Sequence, residues 1–323
     1  HRGGADAGRL GRGGRGGGAG AGVDADGGIG GRTVGVIGAL VHAMLAVSLA
    51  AVVRIAVPYV LGALGAALTE RAGVIDLAVE AKLLVGALAA AAVAHGTGST
   101  WLGALGGAAG GAAVGAVQAA CVLALRADQV VVGIALNLAA FGGTRTVLQA
   151  LYGEGANSPR VATVAGWSNP ILWAGVALAA LVPLALHHTR LGLRLRAVGD
   201  RPAAADAAGV SVARTRAVAV IAGGALAGLG GAQLALSVGV FSADMSGGRG
   251  YMALAAVILA SWRPGRAALI CLAFAFADAT TYQLQVGGGQ VPRELAQLLP
   301  YLWTLVVIGV VGAGRRPPGG LGR

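Results

Sequence analysis

The sequence predicts an all-α, polytopic membrane protein of about ten transmembrane helices, within a range of eight to ten, with both termini cytoplasmic. Three observations predict it. Of 323 residues 56% are hydrophobic, and only 11% are charged, against about 25% in an average soluble domain. A soluble fold of this size could not keep its surface wet with so few charges. The apolar residues fall into long runs, most of them near the ~20 residues that cross a bilayer core. The glycines, 58 in number, show no three-residue period, which excludes collagen, and the apolar runs exclude general disorder.

Residues 1–32 are rich in Gly, Arg and Asp and nearly free of large apolar residues, so they read as a disordered cytoplasmic tail. Their GRGGRG at 11–16 formally matches a dinucleotide fingerprint, but no strand precedes it and no helix follows. The membrane domain, 33–313, divides into apolar segments at 33–53, 55–69, 74–94, 101–125, 128–150, 170–188, 215–239, 251–262, 266–284 and 297–313. Segments 55–69 and 251–262 are short, which suits half-helices, re-entrant pieces or tilted continuations of their neighbours. A polar connection at 189–214 and a tail at 314–323 complete the chain.

Arginine placement sets the orientation. With the N-terminus inside and alternating spans, inner segments hold 18 arginines and outer connections four: Arg54, Arg160, Arg249 and Arg293. The net charge of +11 therefore reads as topology rather than as a nucleic-acid surface. Aromatic residues, Tyr59, Tyr251 and Tyr282 among them, fall near proposed outer ends. Arg145 also lies near an outer end, where it snorkels. Cys121 and Cys271 sit in apolar runs as small buried hydrophobes. Gly103, Gly107, Gly111 and Gly115 form a smooth stripe at every fourth residue, and Gly224 and Gly228 repeat the spacing; small residues so placed let helices approach closely in lipid.

Within 189–214, Pro202 suits the first turn of a helix, Ala203 to Ala208 favour it and Gly209 supplies its stop. A short, exposed, alanine-rich helix on the inner face follows. The stretch TRLGLRLRAVGDRPAAADAAGVSV around it resembles the cytoplasmic loop of permease subunits of bacterial ABC importers, in the branch serving simple sugars, nucleosides and branched-chain amino acids. ALTERAGVIDLAVEAKLL (67–84), LRADQVVVGIALNLAAFGGTR (125–145), GGALAGLGGAQLAL (223–236), GRGYMALAAVILASWRP (248–264), AFADAT (275–280) and LLPYLWTLVV (298–307) are similar to the nucleoside/sugar sub-branch, in the same order. At 76–82 the chain departs from that pattern: DLAVEAK has Ala81 in place of a glycine and Lys82 in place of an apolar residue.

The resemblance implies separate ABC ATPase subunits that bind the ATP and Mg, no cofactor in this chain, a second permease subunit (a heterodimer in the nucleoside sub-branch), and an extracytoplasmic substrate-binding lipoprotein that delivers a nucleoside or sugar at the bacterial inner membrane. It also implies that Gly199, Ala204, Asp206, Ala207 and Gly209 belong to the segment that couples to the ATPase. Independently, the sequence excludes a P-loop ATPase, because its one lysine, Lys82, follows Ala81 rather than a glycine.

Polar groups inside spans cost about 2.5–3.5 kcal/mol each at a helix centre, so they are candidates for the translocation path or for packing. Asp76 and Glu80, four apart, share a helix face, while Lys82 meets Glu80 only if the helix breaks; all three also suit a wetted inner interface. Gln129 and Asn137 suit either hydrogen bonds to solute or interhelical glue. Asp278 lies deep in its span with no evident local partner, in a path or structural role. An ion-coupled secondary transporter using Asp76, Glu80, Lys82 or Asp278 is the alternative function. A membrane enzyme lacks the cluster of nucleophile and base that it needs.

Overall fold

The computed structural model describes residues 47–163, 169–286 and 317–322, with Met44, Leu298, Leu302, Trp303, Leu305, Val306 and Gly309. The tail at 1–32, most of the first and last apolar segments, and residues 314–316 lie outside the described residues.

The described elements are helical throughout: α1 (Leu49–Arg71), α2 (Val79–Thr97), α3 (Thr100–Ala119, running on into a π turn, Ala120–Ala124), α4 (Gln129–Tyr152), α5 (Pro170–His188), α6 (Arg190–Asp200), α7 (Pro202–Ala207), α8 (Val212–Val238), α9 (Arg249–Leu259) and α10 (Pro264–Val286). Side chains set their starts. Asp128 accepts from the backbone N–H groups of Val130 and Val131, Asn169 caps α5 directly before Pro170, and Thr189 caps α6. Gly98, Gly153 and Gly239 close α2, α4 and α8 in the left-handed conformation.

Seven of the described helices are long and apolar enough to cross a membrane. The segmentation needs two corrections. No break occurs at Arg54: residues 49–71 form one continuous helix of 23 residues, because Arg54 keeps its charge on the exposed side near the helix start. Residues 74–94 are not one helix: α2 begins at Val79, and 73–78 is non-helical. The short segment near 251–262 forms a helix of 11 residues, too short to cross a membrane by itself.

Helix α8 is the axis of the bundle, and glycine makes it so. Gly223 meets Gly65 of α1, Gly228 meets Gly86 of α2, and Gly224 and Gly228 interlock with Gly107 and Gly111 of α3. A Cβ on Gly111 would run into the Gly224 carbonyl, and one on Gly65 into the Gly223 carbonyl. The four-residue glycine stripe is therefore used within the chain, for backbone-to-backbone packing. The largest apolar cluster lies where α1, α9 and α10 meet, around Leu61, Leu64, Val257, Cys271 and Phe274. Helices α4 and α5 are peripheral and expose most of their apolar surface.

At one end of the bundle α6 lies against the end of α1, and α7 packs on α6 and α8. Gly199 is packed directly on the Arg71 carbonyl. The segment 317–322 crosses the same place: the Gly320 N–H donates to the Gly199 carbonyl at 2.8 Å and the Gly322 N–H to the Gly73 carbonyl at 3.1 Å. Arg216 donates to the Ala72 carbonyl at 3.2 Å and to the Gly320 carbonyl at 3.4 Å. At the other end the loops around 156–161 and 239–243 pair in antiparallel fashion, with an isolated bridge between Asn157 and Ser242.

Candidate functional site

The interruption between α1 and α2 is the first unusual feature. Non-helical backbone among membrane spans needs partners inside the protein. Here Gln129 accepts from the Ile75 N–H at 2.7 Å, and Gln118 donates to the Ile75 carbonyl at 3.3 Å. Asn137 accepts from the Ala81 N–H at 2.9 Å and donates to the Leu77 carbonyl at 2.8 Å and the Tyr251 hydroxyl at 3.0 Å. Lys82 Nζ reaches back to both oxygens of Asp76 at 2.7 Å, with the two side chains fully buried.

Asp76 and Glu80 thus do not share a helix face, since Asp76 precedes the first turn of α2. Nor does Lys82 turn to Glu80. Glu80 serves another helix: its Oε1 accepts from the Gly248 N–H at 2.8 Å and its Oε2 from the Gly250 N–H at 2.6 Å. It caps α9, whose own N-cap, Gly248, has no side chain to do so. A carboxylate at this position also complements the helix dipole. These polar groups are buried against protein rather than wetted.

The second feature joins three helices. Asp278 does have partners, though distant in sequence: Tyr59 on α1 donates to its Oδ2 at 2.6 Å, and Arg249 at the start of α9 lies 3.9 Å from the same oxygen. The guanidinium stands over the Tyr59 ring, 5.9 Å from its centroid. Tyr59 is the eleventh of 23 residues in α1 and Asp278 the fifteenth of 23 in α10, so each lies about 20 Å along its helix from the α7 end. Tyr59 therefore lies mid-helix rather than at a span end, and Arg249, the first residue of α9, reaches the level of Asp278. Arg145 forms an exposed ion pair with Asp244.

The third feature is α7. The helix begins at Pro202, and Gly209 follows with φ of 79°. Ala205 is its buried anchor, while Ala203, Ala204 and Asp206 to Gly209 are exposed. Gly199 is buried below it. The end of α9 is tied to the same region. Trp262, itself in the left-handed region with φ of 57°, donates from its indole to Glu70 at 2.5 Å and accepts from Arg71 Nε at 2.7 Å.

An interrupted helix, a half-helix locked to it and a short exposed helix lie along one chain whose sequence matches a known family. The profile of the family described as "Branched-chain amino acid transport system / permease component" matches residues 48–308. The chain belongs to this permease family.

Its relatives are nucleoside and sugar ABC permeases. The nucleoside ABC transporter permease protein NupC of Lactococcus lactis subsp. cremoris is 30% identical over 284 residues, covering 78% of this permease and 88% of the relative. The guanosine ABC transporter permease protein NupQ of Bacillus subtilis is 29% identical over 307 residues, covering 85% and 95%. TsgC13 of Haloferax volcanii, provisionally assigned to glucose, is 34% identical over 257 residues, covering 73% and 77%. No solved structure matches the permease.

Of the in-span residues singled out from sequence, Asp76, Glu80, Gln129 and Asn137 come together around the interruption, and Asp278 stands apart with Tyr59 and Arg249. Sequence reasoning missed Gln118, Tyr59, Arg249 and the Glu70–Trp262 contact. The sequence pairs neither Tyr59 nor Arg249 with Asp278, because Tyr59 is 219 residues from it and the contact arises only where three helices meet.

Proposed function

We propose that this permease is the membrane subunit of an ATP-driven importer that carries a nucleoside, ahead of a simple sugar, across a bacterial inner membrane. An extracytoplasmic binding lipoprotein hands over the solute, and a second, unlike permease completes the path. Separate ABC ATPase subunits bind ATP and Mg and drive the cycle. Two relatives named for nucleosides and guanosine over most of their length support the substrate class.

The observation that carries the mechanism is α7, an alanine-rich helix anchored by Ala205 with Ala203, Ala204, Asp206 and Ala207 exposed. Small residues on an exposed face suit insertion into a cleft of another protein. On this reading Ala204, Asp206, Ala207 and Gly209 touch the ATPase. Gly199, buried on the Arg71 carbonyl, acts as the bearing through which movement of α7 reaches α1. Nucleotide-driven closure of the ATPases then shifts the spans between two states of different solute affinity.

The test is tritiated guanosine uptake by the complete importer in liposomes, with Gly209→Arg and Ala204→Arg. The second variant sits on an exposed helical position and has no backbone cost. Both are expected to abolish ATP-coupled uptake while the permease remains folded. Undiminished uptake in both would overturn the coupling assignment. Proton-driven uptake by the permease alone would replace the importer with the ion-coupled alternative.

A further inference from the structure

Two ion pairs among the described residues lie within the spans, and they differ in one respect. Lys82 and Asp76 are sealed, with side-chain exposures of 0% and 1% and both carboxylate oxygens engaged. That pair has nothing left to offer a ligand. Arg249 and Asp278 are open, at 29% and 20%, and 3.9 Å apart. Both of Asp278's contacts fall on Oδ2, so Oδ1 accepts no hydrogen bond among the described residues.

A free carboxylate oxygen about 20 Å along a span does not face lipid, where a charge costs about 2.5–3.5 kcal/mol. Its opening is onto water or onto the seam between subunits, where such importers carry their solute. The cluster is neutral overall, a guanidinium against a carboxylate, so it selects neither cations nor anions. What it presents is an acceptor with one lone oxygen, a phenol that already donates to the other oxygen, and a guanidinium alongside. One turn further along α10, Tyr282 exposes its ring on the same face as Asp278.

We propose that Tyr59, Arg249 and Asp278 form a solute station midway through the membrane, at which a vicinal diol of a neutral solute binds Asp278 in competition with the Tyr59 hydroxyl, and Tyr282 stacks on the remainder. Both the place of this site on a solute path and the substrate class rest on the importer reading above. The diol belongs to a nucleoside ribose or to a free sugar, and both sources share this chemistry. The station also has a mechanical outlet. Arg249 opens α9, whose far end at Trp262 binds Arg71, and the Arg71 carbonyl rests on Gly199 below α7.

The experiment uses the complete importer in liposomes with Tyr282→Cys and Cys121→Ser, and follows labelling by a membrane-impermeant methanethiosulfonate. Inosine, 2′,3′-dideoxyinosine and D-ribose are the protecting solutes. The thiol introduced by Tyr282→Cys is expected to label, and inosine to slow labelling about tenfold, the scale of a hydrogen bond to a charged group. Dideoxyinosine should protect weakly, and Asp278→Asn should remove the difference between the two. Protection by D-ribose equal to that by inosine assigns the site to sugars. Absence of labelling, labelling that no solute slows, or equal protection by inosine and dideoxyinosine overturns the station. None of these touches the importer reading, which falls only if ATP-coupled uptake is absent.

Discussion

Lys82 Nζ binds both carboxylate oxygens of Asp76, six residues earlier, across the point where the helix has not yet begun. The pair closes the interruption on itself and places Glu80, in the first turn of α2, against the start of α9. A lysine where the family pattern has an apolar residue is therefore matched by a local carboxylate, and the departure is a self-contained one.

Removing one member of this pair leaves the other charged and buried. Lys82→Met is expected to destabilise the permease by about 3–5 kcal/mol, and Asp76→Asn in the same chain to restore most of it. Thermal unfolding of the detergent-purified protein, followed by size exclusion, reads both. Equal stability of the single variant and the wild type would contradict the sealed geometry.

Glu80 holds α9 from outside that helix. Glu80→Gln keeps one acceptor and loses one, leaving the N–H of Gly248 or Gly250 unsatisfied at about 1–3 kcal/mol. The expected result is faster hydrogen exchange confined to residues 248–252. Exchange spread evenly over the bundle would mean that Glu80 acts on global stability instead.

Two glycines predict opposite signs. A Cβ on Gly111 collides with the backbone of Gly224 and Gly228, so Gly111→Ala forces α3 and α8 apart at a cost of about 1–3 kcal/mol. On α4 a Cβ at Gly142 meets nothing within 4 Å, and Gly142→Ala should stabilise the helix by up to about 1 kcal/mol. Melting temperatures that move the same way for both would refute the packing assigned to α8.

Gly199→Ala places a methyl group into the Arg71 carbonyl. The α6–α1 contact must open, and ATP-coupled guanosine uptake is expected to fall severalfold while ATP hydrolysis by the complex continues. Uptake and hydrolysis falling in parallel would assign Gly199 to folding alone.

Much was legible from the chain itself. Long apolar runs, the four-residue glycine stripe and the Pro202-to-Gly209 helix are local patterns, and α5, α7 and the half-helix α9 lie where those patterns put them. The reason is that hydropathy and capping act over a few residues, within reach of neighbours in sequence. What tertiary structure decided was the pairing of in-span polar groups. Tyr59 and Asp278 are 219 residues apart, and Arg71 and Trp262 are 191. In lipid a polar group must find any partner at its own depth, whichever helix carries it, and depth and adjacency are properties of the packed bundle. The same holds for the break before Val79: its residues read as helix by composition, and Gln118, Gln129 and Asn137, brought in from other helices, help make the open backbone tolerable.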